Sequence, residues 1–193
     1  MVDRELDQLL QDRFDVSTSD FLVALRGLPA LRPWAASLTD AEARLLDDAD
    51  FGEDREAFLT AGAEVAGAAA RLAVTAFTAD EVATGLELSA SRVRQKRLAH
   101  ELWAIRDGQT WVFPVIQFET GHQGGPERQI RGLDKVFRSL PADLHPVSVA
   151  GFLSTPQPAL FAGRAMTPVE WLRNGGDVES VMAVAEAVDW FTA

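Results

Sequence analysis

Phe77-Thr78-Ala79-Asp80-Glu81-Val82-Ala83, then Gly85-Leu86-Glu87-Leu88, then Ser89-Ala90-Ser91-Arg92-Val93-Arg94-Gln95-Lys96-Arg97 read as a helix, a turn and a second helix carrying four cations in nine residues. Leu102-Trp103-Ala104-Ile105-Arg106, Asp107-Gly108 and Trp111-Val112-Phe113-Pro114 follow as two short strands around a turn. Val82, Ala83, Leu86, Leu88 and Val93 fall at spacings that place all five between two helices crossing at a sharp turn, with small Ala83 where the second helix comes close. With Val93 inward, a step of about 100° per residue turns Ser91, Arg92, Gln95 and Lys96 outward and leaves Arg94 on the flank. Arg97, four residues after Val93, falls on the inward face, so its stem is expected to pack while its head reaches the rim. Glu87 occupies a turn position where glycine is common. The pattern predicts a helix-turn-helix with a small β-hairpin wing over residues 75–118, with Trp103, Ile105, Trp111 and Phe113 alternating along the wing.

The outward side chains suit nucleic acid. Arginine forks onto guanine, glutamine onto adenine, and serine and lysine hold phosphates. Ser89, Ser91, Arg92, Arg94, Gln95 and Lys96 are therefore the candidate DNA-binding residues. Trihelical units without nucleic-acid contacts share the spacing, and a basic helix is also an ordinary solvated surface; the hairpin that follows favours DNA. One short helix makes few contacts, so operator affinity calls for a homodimer or higher oligomer.

The charge distribution singles out the same block. The chain of 193 residues has a formal net charge of −11. Residues 1–70 hold 6 basic and 15 acidic side chains, residues 71–110 hold 6 and 5, and residues 111–193 hold 6 and 9. Only the middle segment approaches a phosphate backbone unopposed. A 47% hydrophobic and 24% charged composition is that of a globular protein. Neither a signal peptide nor an apolar run of spanning length is present, so no membrane association is expected. The absence of cysteine removes disulfides, thiolate metal sites and cysteine nucleophiles, and fits a cytoplasmic location. Three histidines, His100, His122 and His145, are too scattered for a histidine-rich metal site, and no cofactor is implied.

The flanking segments read as helical, making the fold mainly α. In residues 1–74, an acidic helical segment, Val2, Leu6, Leu9 and Leu10 form a first stripe, Ser17 to Asp20 cap a helix through Leu25, and Thr39 with Glu42 forms a capping box. Glu53 to Val74 is the longest candidate helix. Its run of Ala and Gly between residues 61 and 70 admits either an ordinary helical core or a dimerisation face. Glu119 to Pro126, rich in glycine, reads as a linker to a third, helical domain over residues 126–193. There, helices are expected over Arg128 to Leu140, His145 to Leu153, from a Thr167–Glu170 capping box with Pro168 at its first position, and from Asp177 to Trp190-Phe191, while Pro156 and Pro158 interrupt the chain.

Phe113-Pro114, Gln117-Phe118, His145-Pro146, Phe152-Leu153 with Pro156, Leu160 with Gly163, and Thr167-Pro168-Val169-Glu170-Trp171-Leu172 followed by Gly175-Gly176-Asp177 resemble antitoxins with the Xre/MbcA/ParS-type toxin-binding domain. The resemblance covers roughly Thr78 to the end; its most specific stretch is the Pro-x-Glu-Trp-Leu run with Gly-Gly-Asp. Phe152 stands where such proteins often show tryptophan, and residues 1–70 fall outside it. The resemblance implies an antitoxin of a type II toxin–antitoxin system. Its C-terminal helical toxin-binding domain would neutralise a cognate toxin, typically an NAD-consuming RES-domain protein, while the helix-turn-helix represses the shared operon. Trp171, Val188, Trp190 and Phe191 are the candidate toxin-binding residues. Trp171 taken alone reads as core, whereas Trp190 and Phe191, near the end of the sequence, are expected to be exposed and to dock into the partner.

Catalysis is not expected, and there are no candidate catalytic residues. Asp177 with Glu179, or Asp47, Asp48 and Asp50, are better explained as caps and solvated faces than as carboxylate pairs. No phosphate-binding glycine loop precedes a Lys-Ser/Thr, and the histidines have no nucleophile at motif spacing. The alternative is a winged-helix transcriptional regulator whose C-terminal domain senses a ligand or oligomerises.

Overall fold

The computed structural model describes residues 2–27, 39, 55–188 and 190. They fall into two compact units, Met1–Val74 and Thr75–Ala193. The described chain is mainly α, with small antiparallel sheets.

The first unit contains α1 (Val2–Phe14), α2 (Thr18–Gly27) and α3 (Arg55–Val74). Ser17 precedes α2, and its Oγ accepts a hydrogen bond from the Asp20 amide at 3.3 Å, satisfying a first-turn donor. Among the small residues of α3, Ala66, Gly67 and Ala70 are buried, while nothing lies within 4 Å of a Cβ placed at Gly62. The Phe14 ring lies against Gly67, where any Cβ would collide with it. Leu10, Phe14, Val16 and Ala70 form the buried cluster, flanked by Phe21 and Ala24. Leu6 and Leu9, expected on the buried stripe of α1, are exposed, because the inward face follows Leu10 and Phe14 at i, i+4. The helix expected after Thr39 lies outside the described residues.

The second unit opens with β1 (Phe77–Thr78), α4 (Ala79–Gly85), α5 (Ala90–Leu98), β2 (Ile105–Asp107) and β3 (Thr110–Phe113). The three strands form an antiparallel sheet in the order β1-β3-β2. Thr78 and Glu81 make a reciprocal capping box at the start of α4. The end of α4 explains the turn. Glu87 sits at φ 54 in the left-handed region. Its amide donates to the Thr84 carbonyl at 3.2 Å, and the Leu88 amide reaches the Ala83 carbonyl at 2.8 Å. That pair of bonds is a Schellman closure with glutamate where glycine is usual. His100, at φ 53, closes α5 in the same way. Val82, Val93, Phe77, Leu102, Phe113 and Phe118 are buried together, with Ala83, Leu86 and Leu88 against them.

The chain continues through a 3-10 turn (Val115–Gln117) into β4 (Phe118–Thr120) and β5 (Pro126–Gln129), an antiparallel pair. Residues 119–125, expected as a linker, instead belong to this hairpin, its turn closed by the Gly121 amide on the Gly125 carbonyl at 2.9 Å. The helix expected from Arg128 begins later for the same reason. Residues 126–129 are strand, and Gly132, at φ 90, is the N-cap of α6 (Leu133–Ser139). Then come α7 (Pro146–Ser154), β6 (Gln157–Phe161), β7 (Ala165–Met166), α8 (Pro168–Arg173) and α9 (Val178–Ala187). The β6–β7 ribbon stands where only proline breaks were expected. Thr167 and Glu170 form the expected capping box, each bond 3.0 Å, and Asp177 caps α9 through the Ser180 amide at 2.8 Å. α9 stops at Ala187, short of the expected Trp190.

Residues 75–118 and 126–193, expected as separate domains, lie in the same compact unit. Gln117, fully buried, fastens them. Its amide nitrogen donates to the carbonyls of Trp103 at 2.7 Å and Pro114 at 3.2 Å, and its amide oxygen accepts from the Trp103 amide at 3.0 Å. Its own carbonyl takes the Ile130 amide at 2.9 Å. Trp103 packs on Phe137 with centroids 6.1 Å apart, and Arg173 reaches back to the Phe118 carbonyl at 3.1 Å. Gly85 leaves room for the Pro126 carbonyl, which any side chain at residue 85 would displace.

Candidate nucleic-acid interface

The face of α5 is set by one residue. Val93 is buried at 1% exposure, and Ser91, Arg92, Arg94 and Gln95 around it are all exposed. Ser89 is the N-cap, its Oγ accepting the Arg92 amide at 3.2 Å, so its hydroxyl hydrogen alone is left to point outward. The Arg92 guanidinium donates to the Gln95 side-chain oxygen at 3.3 Å, which ties two adjacent outward groups together. The helix has no acidic residue in its first turn and carries Lys96 and Arg97 in its last, where cations suit the dipole.

Lys96 departs from its expected outward position. It is half-buried, and its ammonium bonds the Glu101 carboxylate at 2.9 Å. The left-handed turn at His100 folds Glu101 back beside the helix, which brings the pair together. Arg138 of α6 lies 3.7 Å from the other Glu101 oxygen. The Lys96 hydrogen bond first, then its charge and that of Arg138, hold the Glu101 carboxyl below the usual glutamate range. Lys96 therefore fastens α5 to the residues that follow it. Arg97 is half-buried, with its guanidinium over the Trp111 ring at 4.2 Å, and the Arg106 guanidinium stands over the same ring at 4.9 Å.

The hairpin differs from the expected alternation. Ile105 pairs with Val112 and Arg106 with Trp111, so Ile105, Val112 and Phe113 are buried while Trp111 faces out. Trp103 precedes the strand. Trp111 and Arg106, absent from the candidate list, thus extend the cationic surface of α5 along the sheet. Their cross-strand register was the missing information, because the alternating pattern fixes faces only once the pairing is known.

The C-terminal candidates sit differently. Trp171 is half-buried, tucked against Gly176, with its indole N–H on the Asp177 carbonyl at 3.0 Å. Val188 is half-buried against the main core. Trp190, expected to be exposed, packs edge-on against Phe152 with centroids 5.4 Å apart, and its indole N–H donates to the Ala185 carbonyl at 3.0 Å. The early end of α9 lets the chain bring it back over the core. Phe191 lies outside the described residues. Among the described residues no cluster of His, Cys, Asp or Glu is arranged to hold a metal ion, and no helix is long and apolar enough to cross a membrane. His145 is the N-cap of α7, and burial lowers its pKa.

Comparison with protein-family models, curated proteins and solved structures finds no match to this chain.

Proposed function

We propose that the chain is a DNA-binding antitoxin, with α4, α5 and the β2–β3 hairpin as a winged helix-turn-helix on its operator and the C-terminal helices holding a cognate toxin. The observation that carries the DNA half is the face of α5: one buried valine surrounded by exposed Ser91, Arg92, Arg94 and Gln95 in an otherwise acidic chain. Arg92 and Gln95 are the base readers, Ser91 and Arg94 hold phosphates, and Lys96 positions the helix rather than reading. Arg106 adds a cation on the wing. The toxin half is supported by the Pro168–Asp177 sequence pattern and by its two capped helix starts. Trp190 supports the fold of that half, which leaves Phe191 as the docking aromatic.

The test is a titration of DNA from upstream of the chain's own gene. Arg94→Ala should weaken binding and lower the salt slope by about one, and Arg92→Ala should weaken binding by about 1–3 kcal/mol and relax the sequence preference. Unchanged affinity and slope in both variants would remove the assignment. An untagged partner that co-purifies with the chain, and whose toxicity the chain suppresses, tests the other half; its absence leaves a regulator without a toxin.

A further inference from the structure

Behind the last turn of α5 lies a cleft of about 260 Å³, walled on one side by Leu98, Trp103 and Trp111 and on the other by Phe137, Leu140 and Leu144. Its walls are apolar and aromatic, the character of small-molecule sites, and its volume falls just below the usual range for drug-sized ligands. Its charge is unusual for this chain. The protein has 29 acidic residues and a net charge of −11, yet no carboxylate lines the cleft, and the ionisable side chains on it are Arg97 and His100. Among the described residues the Arg97 guanidinium has no carboxylate partner; it rests on the Trp111 ring at 4.2 Å. Glu101, next in sequence to His100, is already compensated by Lys96 and Arg138.

We propose that this cleft binds a small monoanion with a planar apolar body, such as an aryl or arylacetic acid. The ring lies among Trp103, Phe137 and Leu140, and the carboxylate meets Arg97, whose two-pronged donor set matches a carboxylate. An arginine half-withdrawn from water and unpaired gains most from such a partner. The site stands on its own geometry, whether or not α5 reads DNA.

The full chain, labelled with ¹⁵N, is titrated with phenylacetate and with neutral phenylacetamide while the indole signals of its five tryptophans are followed. Trp103→Phe and Trp111→Phe assign two of them. Phenylacetate should shift the Trp103 and Trp111 signals saturably, with a Kd of about 0.1–1 mM for a ligand of this size, and leave Trp171 and Trp190 in place. The amide should bind about tenfold more weakly, because it lacks the charge-assisted bond. Arg97→Gln should abolish that preference and Arg97→Lys should retain most of it. Ala142→Trp, placed on an exposed lining position, should block both ligands with the remaining spectrum unchanged. Equal affinity for acid and amide, binding indifferent to Arg97→Gln or to Ala142→Trp, shifts spread over all tryptophans, or no saturable shift up to about 10 mM would each overturn the proposal.

Discussion

The basic helix α5 and the aromatic end of the chain were both marked as contact surfaces by their side chains, and the fold treats them in opposite ways. On α5 and its N-cap, five of the six candidate positions, Ser89, Ser91, Arg92, Arg94 and Gln95, are exposed side chains on a helix held by Val93. At the other end, Trp190 is folded onto Phe152 and Trp171 is tied to Asp177. A helical rotation fixed by one buried residue predicts where polar side chains point. An aromatic residue beyond a helix end has no such constraint and goes wherever apolar area can be removed from water.

Four substitutions would break or sharpen that contrast. Gln117→Ala has the largest expected effect, about 3 kcal/mol, because it opens a cavity and strands the amide and carbonyl of Trp103. Urea unfolding followed separately by far-UV circular dichroism and by tryptophan fluorescence should show residues 75–193 still melting together; two transitions would mean that the basic and C-terminal regions are separate bodies after all. Trp190→Ala should cost about 2 kcal/mol as a half-buried core aromatic, whereas Arg92→Ala should change stability by less than about 0.5 kcal/mol while weakening DNA binding. Equal stability losses would erase the contrast. Glu87→Gly should stabilise the protein by about 0.5–1 kcal/mol, since a non-glycine residue in the left-handed region is strained by somewhat more than glycine loses in chain entropy. A lower melting temperature for that variant would show that the turn depends on its carboxylate.

The smallest effect concerns how the helix starts respond to acid. α5 is capped by Ser89, which does not titrate, whereas α8 is capped by Thr167 with Glu170. Bonds from Arg164 first, then from the Thr167 amide, bring the Glu170 pKa from 4.5 down to about 2. A depressed carboxyl contributes stability that is fully present above its unfolded value and is lost as pH falls through the folded one. The melting temperature should therefore carry a Glu170-dependent fall between about pH 4.5 and 2. Glu170→Gln should flatten that part of the profile, and an unchanged profile would show that the capping carboxylate is not coupled to folding.

The sequence made a definite share of this legible. Capping pairs are local, so Thr167–Glu170 and Asp177 were readable from spacing alone, as was the inward set Val82, Ala83, Leu86, Leu88 and Val93. What was not readable depends on partners distant in the chain. Arg128 and Gln129 read as the start of the helix expected to Leu140 but are strand, because β4 lies ready to pair with them. Gly121, Gly124 and Gly125 look alike in a flexible linker and in a hairpin turn. Lys96 followed the correct rotation, but the reversal at His100 brought Glu101 back to it, and a left-handed histidine leaves no mark in helical periodicity. Gln117 did carry a signal: a lone amide between Val115, Ile116 and Phe118 is a polar group that burial forces into hydrogen bonds.

The hairpin at residues 118–129 bears on how such a chain can be inherited. Glycine-rich stretches between differently composed segments are natural places for genes to recombine, and residues 121–125 look like one. A crossover there would separate β4 from β5, give Gly85 a stranger in place of Pro126, and leave the Gln117 carbonyl without the Ile130 amide. Each offspring would keep the buried cluster on either side of the crossover but lose the packing of Trp103 and Ile116 against the C-terminal one. Exchange of either half therefore requires the seam between them, Gly85 with Pro126, Trp103 with Phe137 and Gln117 with Ile130, to be matched by the incoming piece.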